Sequence, residues 1–196
     1  VILDYLSLGY VNSDMSKFKG KAIAQAIGTD YFTLLELVPK RGVDLEIQDT
    51  VYIGKGKRDQ IYKVLGKLDY ENLTATSRIE LEYSIREIVN NNEEKFVDFF
   101  NTAGAISTRL HKLELIPGIG KKYMWEIVEA RKEKPFESFE DITTRIPSLN
   151  NPAEMIVNRV KQELDTTTAK KGKKKYYLFT PIPKTQKKHR NNMNQR

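Results

Sequence analysis

Within five residues, Ile116-Pro117-Gly118-Ile119-Gly120, the chain sets one proline and two glycines between two stretches that both read as helix. Proline gives a helix no N–H and pushes the residue before it out of the α region. Glycine reaches backbone torsions that other residues avoid. Residues 109–115, with Leu110 and Leu113 turned inward, therefore read as a short helix that stops at Ile116. Lys121 to Lys132 restarts it, with Met124, Ile127 and Val128 on one face, and Pro135 ends it. The segment between is a tight hairpin, plugged into the core by Ile119.

The same residues suit an anion. The first N–H groups of a helix have no partner within it and lie at the positive end of its dipole. Gly118, Gly120 and Lys121 offer such N–H groups, the two glycines let a phosphate come close to them, and Lys121 and Lys122 add charge beside them. Such a loop, with Pro117 fixing its entry, grips a nucleic-acid backbone and reads no base.

Charge along the chain points the same way. Lys170 to Arg196 holds eight Lys, two Arg and no acid, a net +10. The first 169 residues hold 23 basic and 26 acidic groups, a net −3. The pI of about 9.3 is thus a property of the C-terminal segment, and a segment of this kind suits a polyanion. Lys170, Lys171, Lys173, Lys174 and Lys175 are its candidate contacts. Residues 69–100 are net −5 and should face away from a polyanion. Residues 39–67 and 109–134 each carry seven cations against four acids and are the candidate surfaces of the body. In the first of these, Val51-Tyr52-Ile53-Gly54-Lys55-Gly56-Lys57-Arg58 reads as a strand ending in a glycine turn, with Lys55, Lys57 and Arg58 placed for phosphate contact. No GxxxxGK[ST] motif is present. Tyr31, Phe32 and Tyr52 are either base-stacking platforms or core, and core is the commoner fate of aromatics in short strands.

The remaining pattern predicts an α+β fold. Residues 1–70 are read as a small β-barrel from short apolar runs at 1–6, 21–27, 31–38, 44–47 and 51–53, punctuated by glycines. Residues 71–106 read as a helical connector, with a capping box at Ser77–Glu80, a face of Ile79, Tyr83, Arg86, Ile88 and Val89, a break at Asn90–Asn92, and a Phe96, Phe99, Phe100 stripe. In 107–165 further helices start at Ser138 and at Asn151-Pro152, the latter with proline at the first helical position. Residues 166–196 form the basic tail, in which Tyr176-Tyr177-Leu178-Phe179 reads as a short strand docking on the barrel edge.

Leu113 to Lys122 resembles a helix-hairpin-helix element, apart from Met124, where that motif usually has a small residue. Residues 132–142 resemble the linker and third helix of tandem helix-hairpin-helix domains of the competence-protein type. The loop matching their second hairpin, Ile146 to Asn151, has lost its glycines and is expected to pack rather than to bind phosphate. From about residue 1 to 179 the chain is similar to an uncharacterised archaeal family of predicted RNA-binding proteins, a domain of unknown function that pairs an OB-like or S1-like barrel with a helix-hairpin-helix domain. The likeness lies in 25–57, in Ile106-Ser107-Thr108-Arg109-Leu110-His111 and in 176–179. It implies RNA as partner, in the setting of ribosomal RNA, a ribosomal subunit or its assembly.

Several chemistries are excluded or disfavoured. Zero cysteines exclude disulfides, thiolate catalysis and Cys-ligated zinc, and His111 and His189 alone make a His-rich metal site improbable. No cofactor is expected. No apolar run approaches the roughly 20 residues of a membrane span, and Val1 to Leu6 is too short and uncharged for a signal peptide, so a cytoplasmic protein without membrane contact is expected. Non-specific DNA binding is the alternative reading of the hairpin. An enzymatic alternative is a DNA glycosylase-lyase, in which Lys122, with Glu140 or Asp141 some 18 residues on, would mimic that family's spacing. It calls for a larger helical frame around an extruded base, and the expectation is a non-catalytic protein.

Overall fold

The structure, a computed structural model, describes residues 1–10, 20–165 and 175–182. Four strands, β1 (Ile2–Leu6), β2 (Ile23–Ile27), β3 (Leu34–Pro39) and β4 (Ile61–Lys67), form one antiparallel sheet in chain order. β2 is buried along its whole length because both faces of the sheet are covered. Ile27 enters the core under the helices, while Ala24 and Ala26 enter a smaller core with Ile2, Leu37, Leu45 and Ile61. A polar residue in such a strand must find partners. Gln25 donates to the Asn72 carbonyl (3.0 Å) and to the Tyr10 hydroxyl (2.8 Å), and accepts from the Thr74 N–H (2.9 Å). It thereby ties the start of the first helix to the sheet.

Strand pairing does not close the expected barrel: β1 and β4 are the two edges of an open sheet. Residues 44–47 and 51–53 are not strands but part of a loop laid over one face, where Leu45 is buried and Val43, Val51 and Ile53 pack around it. That loop reaches β1 through Ile2 N–H to Asp49 O and Gln48 N–H to Ile2 O, each 2.8 Å. Two hydrogen bonds thus cover an edge that would otherwise be open to pairing. β4 was not anticipated, because only its first residue is buried and alternation is weak. β3 starts three residues later than expected, because Phe32 turns the chain at φ 50° while its ring is buried in the core.

Helices α1 (Ala75–Asn91) and α2 (Glu93–Thr102) break where the asparagines stand. The α1 cap differs from expectation. Thr74, not Ser77, is the N-cap; its hydroxyl accepts from the Ser77 N–H at 3.0 Å, and Ser77 is buried. The inward face is accordingly Leu81, Ile85, Ile88 and Val89, with Ile79 73% exposed and Tyr83 50%. The stripe on α2 is as read: Phe96 and Phe100 are buried and Phe99 packs beside them. α3 (Lys121–Glu133), α4 (Phe139–Arg145) and α5 (Pro152–Leu164) follow. One core runs from Leu3 and Phe32 in the sheet region through Ile85 and Phe96 to Ile127, Ile142 and Val157.

The expected helix over 109–115 is replaced by a small hairpin of β5 (Ala105–Ser107) and β6 (Leu110–His111) and a single 3-10 turn, Lys112–Leu115. Pairing of Ala105 with His111 and Ser107 with Leu110 uses up the first half of that stretch. Pro117 stops the rest one turn later. Among the described residues no helix is long and apolar enough to cross a membrane, and no group of His, Cys, Asp and Glu could hold a metal ion.

Candidate nucleic-acid interface

The hairpin is built by two turns and one buried plug. The Ile116 N–H donates to Leu113 O and the Ile119 N–H to Ile116 O, both at 3.0 Å. Ile116 and Ile119 are buried; Gly118, Gly120, Lys121 and Lys122 are exposed. Gly118 sits at φ 89°, which favours glycine, and a Cβ there would lie 3.2 Å from Met155 Cε of α5, whose side chain would have to shift slightly. Gly120 is different. It is the N-cap of α3 at φ −88°, ψ −177°, and a Cβ there meets nothing within 4 Å. Its small size is required by nothing inside the protein.

The start of α3 is unlike the other described α-helix starts. α1, α4 and α5 are capped by the side chains of Thr74, Ser138 and Asn151, and α2 carries Glu93 and Glu94 in its first turn. α3 has no side-chain cap and no acid in its first turn; it has Lys121 and Lys122. Its first N–H groups therefore face solvent at the positive end of the helix. The loop before α5 makes the same Ile-Pro turn, with the Leu149 N–H donating to Ile146 O at 2.9 Å and Leu149 buried. There Pro152 removes one N–H, Asn151 Oδ1 accepts the Glu154 N–H (3.0 Å), and Glu154 holds Arg86 at 3.1 Å. The α5 terminus is thus filled by the chain itself.

Lys122 Nζ lies 3.8 Å from Glu126 and 5.8 Å from the Tyr123 ring centroid, at 78% side-chain exposure. Asp141 is engaged by Arg145 (3.3 Å) and by the Glu137 N–H (3.1 Å) at the start of α4. One turn beyond Lys121 stands Trp125, the single tryptophan of the chain, 58% exposed. Sequence reading passed over it, since it breaks no helical pattern.

Below the hairpin, His111 holds the entry turn. Its Nδ1 accepts the Leu113 N–H at 3.1 Å, and the His111 backbone N–H donates to Glu114 Oε2 at 2.8 Å. Burial, reinforced by the Arg131 charge, pushes the imidazole below its usual value. Protonation of Nδ1 would remove the acceptor. As pH falls through about 6.5 the unfolded chain takes up this proton before the folded one. The stability owed to neutral His111 is full above that pH and is lost from there down to the depressed folded value. Urea unfolding should therefore show a decline between neutral and mildly acidic pH that shrinks in His111→Asn, whose amide oxygen can still cap the turn.

The second candidate set sits elsewhere, in the connection between β3 and β4. Lys55 and Lys57 are exposed, Lys57 pairing loosely with Asp59 at 3.9 Å. Arg58 folds back, Nε donating to Gly54 O at 3.0 Å, and Lys40 Nζ donates to Arg58 O. Gly54 is explained by packing: a Cβ there would fall 2.3 Å from the Tyr52 hydroxyl. The Tyr52 ring, 59% exposed, lies against this turn, its hydroxyl accepting the Gly56 N–H at 3.3 Å. Phe32 is core, and the exposed Tyr31 ring faces Lys95 Nζ at 5.6 Å.

Of the basic tail, Lys170, Lys171, Lys173 and Lys174 lie outside the described residues. Lys175 is described; its Nζ donates to Asp165 O at 3.0 Å. Residues 176–179 are not a strand and pair with no sheet edge. They dock on α5 and α2. The buried Glu163 carboxylate accepts the N–H groups of Leu178 (2.7 Å), Phe179 (3.0 Å) and Thr180 (2.9 Å) and the Thr180 hydroxyl (3.0 Å), with Arg159 Nε at 2.8 Å on its other side. The Phe179 ring meets Phe96 and Phe99 edge-on, with centroids at 5.5 and 5.0 Å.

Comparison with known proteins adds three findings. The model of a family described as Protein of unknown function (DUF655) matches residues 1–181, a span that takes in most of the segment held by Glu163. Uncharacterized protein MJ0038 of Methanocaldococcus jannaschii is 46% identical over 178 residues, 91% of this chain and 77% of that protein. The crystal structure of Af1531 from Archaeoglobus fulgidus, which bears the same DUF655 name, superposes with a TM-score of 0.79 at 43% identity, covering 92% of this chain and 97% of that one.

Proposed function

The chain belongs to the DUF655 family, and for this member we propose a non-catalytic role: it holds the phosphate backbone of RNA at the start of α3 and along its basic C-terminal segment. The observation that carries the reading is the contrast between the two Ile-Pro hairpins. One helix start is filled by Asn151, Pro152 and Glu154. The other is uncapped, free of acid, flanked by Lys121 and Lys122, and fronted by a glycine that packing does not need. Pro117, Gly118 and Ile119 give that hairpin its shape, and a helix-hairpin-helix element with a shortened first limb describes it. Lys55 and Lys57 add exposed positive charge on the body, and the sequence of the basic segment adds Lys170, Lys171, Lys173, Lys174 and Lys175. Phosphate is common to RNA and DNA, so RNA, and ribosomal RNA or a ribosomal subunit in particular, rests on the family resemblance; non-specific DNA binding is the competing outcome.

The test is a titration of labelled single-stranded RNA, RNA duplex and DNA duplex, followed by anisotropy and by the fluorescence of Trp125. Binding to RNA with an affinity that falls linearly in log salt is the expected result. Absence of binding to every nucleic acid at low salt would sink the proposal, and a preference for DNA duplex would redirect it. The basic cluster makes a separate prediction. Each phosphate neutralised on a single strand contributes about −0.7 to the slope of log K against log salt. Changing Lys170, Lys171, Lys173 and Lys174 to Gln, with residues 175–182 kept, should flatten the slope by roughly 3 units. An unchanged slope would leave the cluster a bystander.

A further inference from the structure

A hairpin that grips phosphate reads no base, so an RNA-binding protein built on it alone would be indifferent to whether bases are paired. A cleft on the sheet has the chemistry the hairpin lacks. It measures about 780 Å³ and lies at one end of the sheet, lined by Tyr5 near the end of β1, Val38 and Pro39 at the end of β3, and Tyr62 at the start of β4. That volume lies within the roughly 300–1,000 Å³ of small-molecule sites. Tyr62 is 71% exposed, an unusual outlay of aromatic surface for a strand residue. Tyr5 is half-buried and fixed by its hydroxyl, which donates to Asp44 Oδ1 at 3.0 Å. Among the described residues Asp44 is the single acid lining the cleft, against Lys21, Lys40 and Arg41. The hydrogen bond from Lys40 Nζ to Arg58 O joins this wall to the loop bearing Lys55 and Lys57, so the positive edge continues beyond the cleft.

An exposed aromatic face beside cations suits a flat group carrying negative charge. We propose that the cleft takes one unpaired nucleotide of single-stranded RNA, its base against Tyr62 and its phosphate on Arg41 and Lys40. A paired base is sealed within its duplex stack and cannot enter. The inference rests on the reading of this chain as an RNA-binding protein and adds to it a selection for unpaired segments. Stacking on an aromatic face tolerates any base, so the cleft selects for strandedness rather than for sequence.

The test uses the full chain, a fluorescein-labelled single-stranded RNA, the matching RNA duplex, and the variants Tyr62→Ala, Tyr62→Phe, Arg41→Gln and Gly120→Asp. Tyr62 is exposed, so its variants should melt with the wild type. Tyr62→Ala should weaken single-strand binding about tenfold and leave duplex binding unchanged, while Tyr62→Phe, which keeps the ring face, should bind as the wild type does. Arg41→Gln should reduce the single-strand salt slope by about 0.7. With 4-thiouridine in the RNA, irradiation should crosslink the peptide carrying Tyr62. If Tyr62→Ala binds both RNAs like the wild type while Gly120→Asp weakens both, the cleft proposal falls and the hairpin reading stands. Equal weakening of single strand and duplex by Tyr62→Ala would also overturn it. If the wild type binds neither RNA, the reading and the inference fall together.

Discussion

Replacing Glu163 by Ala should cost about 3–5 kcal/mol of stability, a large share of the roughly 5–15 kcal/mol available to a domain. The carboxylate is buried and accepts three backbone N–H groups, one hydroxyl and the Arg159 guanidinium, whose side chain is 11% exposed. Its removal leaves a nearly buried cation with the Tyr176 carbonyl as its remaining partner in that cage, and leaves three amides without acceptors. Unpaired buried charge is the most expensive way to break such a network. Glu163→Gln keeps one acceptor oxygen and should lose less, about 1–3 kcal/mol. Urea unfolding gives the magnitude. Amide exchange at Leu178, Phe179 and Thr180 locates it, because the local cage should open before the core does. A loss under about 1 kcal/mol in Glu163→Ala would mean that the segment contributes little to the fold.

Gly120→Asp should move stability and RNA binding in opposite directions. The position has backbone torsions open to any residue and no neighbour within 4 Å of a new Cβ. Asp is among the best N-cap residues, so the helix should gain a few tenths of a kcal/mol over Gly. The same carboxylate occupies the anion position and repels phosphate beside Lys121 and Lys122. Binding should weaken at least tenfold, about 1.4 kcal/mol. Gly118→Val is a poorer probe, because φ 89° and Met155 Cε at 3.2 Å make it a folding mutation first. Undiminished RNA binding by a folded Gly120→Asp would place the contact elsewhere.

Local signals determine much of this chain without any tertiary contact. Pro117 and Pro152 fix where helices stop and start, since a missing N–H acts on its nearest neighbours alone. The Phe96, Phe99, Phe100 stripe and the spacing in α3, α4 and α5 are periodic enough to show their buried faces. The hairpin, its two lysines and the imbalance of charge were legible for the same reason. Tertiary structure decided the rest. Residues 109–111 joined a strand pair with 105–107, because hydrogen bonding across a turn competed with a helix too short to sustain itself. Loop 40–60 lay over the sheet without forming strands, because burial of Leu45 and two hydrogen bonds to Ile2 sufficed. The apolar run 176–179 reads locally as a strand, yet its amides bond to a carboxylate on α5. Glu163 itself looks like any surface glutamate in the sequence. Its burial, and the gathering of Tyr5, Arg41 and Tyr62 around one cleft, depend on segments far apart in the chain, and no local pattern encodes which of them will meet.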